Sequence, residues 1–289
     1  MPSPDASHSR LLEHWNRGQI DQSRLLVIAG PCVLESDDLN RRIAETIASA
    51  CADVGATYVF KASFDKANRS SIHSDRGPGI ERGLDQLADI RTTFDVPVLT
   101  DVHEPGQASR VAEVVDLLQI PAFLCRQTDL LAACGETGRP IAAKKGQFMS
   151  PAEMRLVLEK LRESGAGPLM VTERGTFFGY HRLVNDFIGL GDLMDVAESF
   201  DALTCFDATH STQLPGASGT MSGGRPERAP LLARAAVAAG VRAVFLEAHP
   251  DPSSARSDAA TVLPLASVPG LITTLARLRN VSCEAESRI

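Results

Sequence analysis

The stretch FKASFDKANRSS, residues 60–71, carries Lys61, Ser63, Lys66, Asn68, Arg69, Ser70 and Ser71. Cations, hydroxyls and an amide so close together suit a phosphate or carboxylate, held by charge-assisted hydrogen bonds that a fold alone does not require. Lys144 and Arg174 stand at the ends of other apolar runs and extend the positive field. Lys145 and Arg76 read instead as solvated loop charges. The run LLVIAGPCVLES, residues 25–36, ends in Gly30-Pro31 and then places Cys32 where a chain usually surfaces. That thiol has four readings: packed core residue, chance thiol, nucleophile or metal ligand. Core packing is the default for a single cysteine, and a nucleophile needs a paired base. No local spacing of cysteines and histidines marks a metal site, so these residues alone leave the readings open.

The hydropathy pattern shows what must position these groups. Eight apolar runs recur: LLVIAG (25–30), TYVFKA (57–62), VPVLTD (96–101), VVDLLQIP (114–121), PIAAKK (140–145), PLMVTE (168–173), ALTCFDA (202–208) and AVFLEA (243–248). Their near-continuous hydrophobicity is that of parallel strands covered on both faces. Amphipathic stretches such as 37–53, 80–93, 151–164 and 227–239 lie between them. SPAE reads as a helix start, with Ser150 as N-cap, Pro151 in the first helical position and Glu153 three residues after the cap. Gly55, Gly165 and Gly240 stand where helices should stop.

Eight strand–helix units close most economically as an α/β fold of the (β/α)8 TIM-barrel type. The barrel is expected over residues 25–289, after a short N-terminal extension at 1–24. A doubly wound open sheet is the alternative, but GPCVLES lacks its glycine fingerprint. In a barrel enzyme the active face is built from the C-terminal ends of the strands. The runs end in Cys32, Lys61, Asp101, Gln119, Lys144-Lys145, Glu173-Arg174, Asp207 to His210, and Glu247 with His249. A chain that is merely surfacing explains one or two such endings, but not all of them. The connections beginning HSTQLPG and HPDPSSA are longer than compact domains usually allow, and read as mobile loops over the site.

Composition sets the outer bounds. The chain has 289 residues, 44% hydrophobic and 22% charged, which is ordinary for a globular protein large enough to need no staple. A net charge of −7 argues against a nucleic-acid or anionic-membrane partner, so any anionic ligand needs a local basic cluster. No apolar run approaches the length of a membrane span, and the polar start MPSPDASHSR lacks the apolar core of a signal peptide. Six scattered cysteines without a CxxC pair read as reduced thiols, and the location as cytoplasmic.

The motifs AGPCVLES, FKASFDKANRSSIHSDRGPG, TDVHE, QIPAFLCRQTDLL, KKGQF, TERGTFFGY, FDATHSTQLPG and EAHPDP with SDAAT run in order over about residues 25–275. Together they resemble the 3-deoxy-D-manno-octulosonate 8-phosphate synthases. The related 3-deoxy-D-arabino-heptulosonate 7-phosphate synthases normally carry a Lys-Pro-Arg-Thr/Ser loop where this chain has KANRSS. The resemblance implies a condensation of phosphoenolpyruvate with D-arabinose 5-phosphate and water, for lipopolysaccharide biosynthesis. It assigns Lys61, Ser63, Lys66 and Gln119 to the carboxylate side of phosphoenolpyruvate, and the Ala122 backbone, Lys144 and Arg174 to its phosphate. Asn68, Arg69 and Ser70 would receive arabinose 5-phosphate, with Asp101 near the meeting point of the two substrates. Phe123 and Arg126 would reach a neighbouring subunit of a homotetramer. The family's metal-dependent branch implies one divalent ion (zinc, iron(II) or manganese) on Cys32, His210, Glu247 and Asp258. Relatives without the metal carry asparagine at the Cys32 position. On this reading Lys66, Asp101, His210 and Cys32 are the catalytic group, while His103 and His249 are neighbours rather than ligands. Asn185 replaces an expected apolar residue and Val262 an expected glutamine. The alternatives are the seven-carbon synthase acting on erythrose 4-phosphate, a Schiff-base aldolase using Lys144 or Lys61, and a non-catalytic phosphosugar-binding barrel.

Overall fold

The structure, a computed structural model, describes residues 24–69, 72–178, 181–216 and 223–286. Ser70, Ser71 and all of the expected extension except Arg24 lie outside the described residues. Eight parallel strands form the barrel: β1 (Leu26–Gly30), β2 (Thr57–Lys61), β3 (Val98–Asp101), β4 (Leu117–Ile120), β5 (Ile141–Lys144), β6 (Leu169–Glu173), β7 (Leu203–Asp207) and β8 (Ala243–His249). Each pairs with the next in chain order. The ring closes where Leu26 to Gly30 of β1 run beside Ala243 to Glu247 of β8. That pairing decides for the TIM barrel over an open sheet, and every strand falls on one of the expected apolar runs.

Helices α1 (Asp37–Asp53), α2 (Ile80–Phe94), α3 (Ala108–Val114), α4 (Thr128–Gly135), α5 (Met154–Glu163), α6 (Phe187–Glu198), α7 (Ala229–Ala238) and α8 (Val268–Glu286) surround the strands. Helix α1 shows how local sequence sets such an element. The Ser36 hydroxyl accepts from Leu39 N–H at 3.3 Å, and Ile43, Ala44, Ile47, Ala50 and Cys51 make one buried face. Gly55, Gly165 and Gly240 have φ of 67°, 87° and 101°, the left-handed geometry that ends a helix. Helix α5 corrects the reading of SPAE, because it begins at Met154 rather than Pro151. Residues 151–153 form a tighter turn, with Met154 N–H bonded to Pro151 C=O. Ser150 donates to Glu153 from both N–H (2.8 Å) and hydroxyl (3.1 Å) instead of capping a helix as acceptor.

Side chains alternate across each strand, and that alternation sorts the barrel into two cores. One parity packs against the helices. The other fills the barrel with Leu26, Ile28, Val59, Leu99, Leu117, Ala142, Met170, Cys205, Ala243 and Phe245. Two residues further along the same parity, or four on β1 and β6, each strand reaches the mouth. The connection after β8, expected to be a mobile loop, is built from elements: a turn at Pro252–Ser254, then Leu263–Pro264 paired with Ala248 and His249. In the connection after β7, Gln213–Leu214 pairs with Gly223–Gly224, and residues 217–222 lie outside the described residues. Among the described residues no helix is long and apolar enough to cross a membrane.

Candidate active site

The inward parity of β1 runs Leu26, Ile28, Gly30 and then Cys32. Gly30 is obligatory here, since a Cβ on it would sit 2.0 Å from the Lys61 carbonyl oxygen. The close approach lets Lys61 Nζ donate to the Cys32 carbonyl at 3.1 Å. Cys32 is buried, and its Sγ lies 3.0 Å from Asp258 Oδ2. Ligand atoms of Cys32, Glu247 and Asp258 all lie within 4.8 Å of one another. His210 Nε2 faces the same point, 3.6 Å from Glu247 Oε2 and 3.9 Å from Asp258 Oδ2. Glu247 Oε2 is buried and has no hydrogen-bond partner. Burial, reinforced by Asp258 and Glu247, pushes the Cys32 thiol well above its ordinary range. A buried thiol, imidazole and two carboxylates around an orphaned oxygen are chemically apt for a borderline divalent cation, which would relieve their mutual repulsion. The four residues therefore fit the implied metal.

The cations surround this cluster from the neighbouring strands, on the same parity. Lys61 Nζ is ion-paired with Glu247 Oε1 at 2.8 Å, both side chains fully buried. Lys144 Nζ donates to Asp207 Oδ2 at 2.5 Å and sits 3.6 Å above the Phe245 ring, whose face attracts a cation. Arg174 Nη2 donates to Gln213 Oε1 at 2.6 Å, while its Nη1 is buried with no hydrogen-bond partner. Lys66 is buried; burial alone would lower its pKa, but Cys32, Glu247, Asp101 and Asp258 outweigh that and hold the ammonium form firmly. Asp101 accepts from Ser63 Oγ at 2.7 Å and from Gln119 Nε2. Burial opposes its ionisation, yet Lys61 and Lys66 keep it well below the usual carboxylate range.

The pattern of the DAHP synthetase I family matches residues 16–280. This chain belongs to that family. It is 49% identical over 277 residues to a 2-dehydro-3-deoxyphosphooctonate aldolase of Nitratidesulfovibrio vulgaris (strain DP4), covering 96% of each chain. A protein of the same name from Granulibacter bethesdensis is 53% identical over 240 residues, 83% of this chain and 84% of its own. Another, from Synechococcus sp., is 48% identical over 264 residues, covering 91% and 92%.

In this family member the mouth thus gathers Cys32, Lys61, Ser63, Lys66, Asp101, Gln119, Lys144, Arg174, His210, Glu247 and Asp258. Ala122 is also buried, at the turn that follows β4. Arg69 is tied differently, donating to the carbonyls of Asp75 and Arg256 at 2.8 Å each, which joins the β2 and β8 connections. Asn68, Phe123 and Arg126 are exposed. Among the described residues, no hydrogen bond or ion pair draws those three into the cluster. His103 stacks edge-on against Phe64, and His249 Nε2 lies 3.5 Å from Glu35 Oε1, so neither faces the cluster as a ligand. Val262 is buried, and Asn185 donates to the Ser211 carbonyl at 3.2 Å.

Lys145 corrects its reading as a solvated charge. It is fully buried, 3.3 Å from Glu173 Oε1 and 3.0 Å from Thr176 Oγ1. Lys145 and Glu173 each follow or precede a mouth residue by one position, so both take the outward parity and meet behind the strands. Arg76, by contrast, is exposed beside Asp65 as expected. The residue patterns gave no role to Asp207 or Gln213. Asp207 is fully buried; its Oδ2 also meets His210 Nδ1 at 2.7 Å, and its Oδ1 accepts from His210 N–H at 2.9 Å. Burial works against its charge, but His210 and Lys144 hold it strongly ionised. An ionised carboxylate accepts only, so Nδ1 carries a proton, and Nε2 is directed at the cluster. The signal for Asp207 was present: it continues the inward parity from Cys205. Gln213, in a loop, had none.

Proposed function

We propose that this chain is a 3-deoxy-8-phosphooctulonate synthase. It would join phosphoenolpyruvate, D-arabinose 5-phosphate and water into 3-deoxy-D-manno-octulosonate 8-phosphate and inorganic phosphate. The observation that carries this reading is the convergence, on one barrel mouth, of Lys61, Lys66, Lys144 and Arg174 around a Cys-His-Glu-Asp cluster. Both substrates are anions, and the cations answer a charge that the net-negative molecule would otherwise repel. The relatives' printed name and the KANRSS loop favour arabinose 5-phosphate over erythrose 4-phosphate.

In this reading Lys144 and Arg174 hold the phosphate of phosphoenolpyruvate, and Lys61, Ser63 and Gln119 stand on its carboxylate side. Asn68 and Arg69, with Ser70 outside the described residues, take the sugar phosphate. C3 of phosphoenolpyruvate attacks the aldehyde carbon, C2 becomes cationic, and water adds there. The resulting hemiketal phosphate loses phosphate by C–O cleavage. Holding two like-charged substrates in register is the largest contribution, since effective molarities of about 10⁵ M or more are open to well-held reactants. Lys66, firmly protonated, donates toward the aldehyde oxygen as negative charge develops on it. Asp101 fixes Ser63 and Gln119 and closes the site on that side. Cys32, His210, Glu247 and Asp258 would hold one zinc, iron(II) or manganese ion, which supplies Lewis acidity beside the aldose.

Apolar residues left exposed after β4, β5 and β6 (Phe123, Phe148, Phe177 and Ile188) would suit subunit contacts, in line with the homotetramer implied by resemblance. The five cysteines found free among the described residues and a phosphoenolpyruvate substrate suit a reducing cytoplasm. The decisive assay measures phosphate release from phosphoenolpyruvate with each aldose in turn. Arabinose 5-phosphate should exceed erythrose 4-phosphate by at least about tenfold, a difference of about 1.4 kcal/mol in transition-state stabilisation. Chelation should abolish turnover and added divalent metal restore it. Preference for erythrose 4-phosphate would reverse the substrate assignment, and full turnover by metal-free protein would remove the metal.

A further inference from the structure

Each of three cations at the mouth is tied to one of three residues of the Cys-His-Glu-Asp cluster. Lys61 reaches Glu247 directly at 2.8 Å. Lys144 reaches His210 through a single carboxylate oxygen, Asp207 Oδ2, at 2.5 and 2.7 Å. Arg174 reaches Asp258 through the side-chain amide of Gln213, which accepts from Nη2 at 2.6 Å and lies 3.4 Å from Asp258 Oδ1 through Nε2. Anion-facing and metal-facing groups therefore neutralise one another when neither ligand is bound.

We propose that Asp207 and Gln213 are positioning residues that couple the two halves of the mouth, so that phosphoenolpyruvate and the divalent ion each tighten the binding of the other. This inference rests on the metal reading above. The physical argument is an exchange of partners. An anion that takes the charge of Lys144 leaves Asp207 to His210 alone, which strengthens the hold on Nδ1–H and makes Nε2 a better metal ligand. An anion on Arg174 releases Gln213 to orient Asp258. In the other direction, a cation on the cluster removes negative charge that competes for Lys61, Lys144 and Arg174. Linkage makes the two effects equal.

The test is a cobalt(II) titration of the full chain, followed by the thiolate-to-cobalt absorption, with and without saturating phosphoenolpyruvate and with no aldose present. In the wild type phosphoenolpyruvate should tighten cobalt binding by about fivefold or more, the usual lower bound of such couplings. Gln213→Met, at a half-buried position, should keep the absorption band but reduce the tightening below that of the wild type, because the Arg174–Asp258 relay is lost while the other two links remain. Asp207→Asn, similar in shape, should also weaken cobalt binding by about 10-fold to 100-fold, as loss of a histidine's orienting partner does. Unchanged cobalt affinity on adding phosphoenolpyruvate to the wild type overturns the coupling, whether or not the buried variant folds. Full tightening retained in Gln213→Met, or in both variants, overturns the assignment of the relays. Absence of the thiolate band in the wild type sinks the metal reading itself and this inference with it.

Discussion

Asp101 shows how strongly single residues at the mouth depend on their neighbours. Burial alone would favour its neutral form, but Lys61, Lys66 and the Ser63 hydroxyl reverse that. A carboxyl group whose pKa is lower in the fold than in the unfolded chain adds stability above its unfolded value, near 4, and loses it as pH falls through that value toward the folded one. Urea midpoints should therefore decline as pH is lowered from about 5 to about 3, and Asp101→Asn should make that decline shallower. Equal slopes for the two proteins would show that Asp101 is not held low. Lys61 and Glu247 follow a harsher rule, since each is buried and removing one leaves the other charge uncompensated.

At the scale of elements, the contact between β1 and β2 sets the register of the thiol and the first lysine. Gly30 permits it, because nothing larger fits against the Lys61 carbonyl. Gly30→Ala places a methyl group 2.0 Å from backbone oxygen, and neither strand can move without opening the barrel. Overpacking of this kind costs about 1–3 kcal/mol, to be read as a lower urea midpoint with an unchanged m-value. Metal affinity should fall as well, because Cys32 lies two residues along the same strand end. A variant as stable as the wild type would mean that the strands separate more easily than the structure implies. The alternation of β5 and β6 has the same authority: it sends Lys144 and Arg174 to the mouth and turns Lys145 and Glu173 toward each other behind it.

For the whole molecule, closure brings strand ends far apart in sequence into one rim. Cys32 and Asp258 are separated by 226 positions yet lie 3.0 Å apart. The same closure leaves the sector after β4 to β6 with Phe123, Phe148 and Ile188 exposed at 51%, 52% and 81%. Exposed apolar side chains of that kind would suit the subunit contact proposed above. Sedimentation velocity should find a particle of four chains at micromolar concentration, and Phe123→Glu should shift it to smaller species. A wild type that sediments as a single chain would remove the tetramer.

The amino-acid sequence by itself determined the barrel, because each of eight apolar runs marks a strand and each ends in a polar group. It also named most of the mouth. Cys32, Lys61, Asp101, Gln119, Lys144, Glu247 and the His210 motif stand at or just beyond strand ends, and a period of two carries them inward. Resemblance then supplied roles that spacing could not. What the tertiary structure alone decided are the pairings: Lys145 with Glu173, Asp207 between Lys144 and His210, and Gln213 between Arg174 and Asp258. The reason is geometric. Alternation along a strand is a local property and is written in the chain, whereas the partner of a buried charge is chosen by ring closure and loop path, which join residues with no fixed spacing between them.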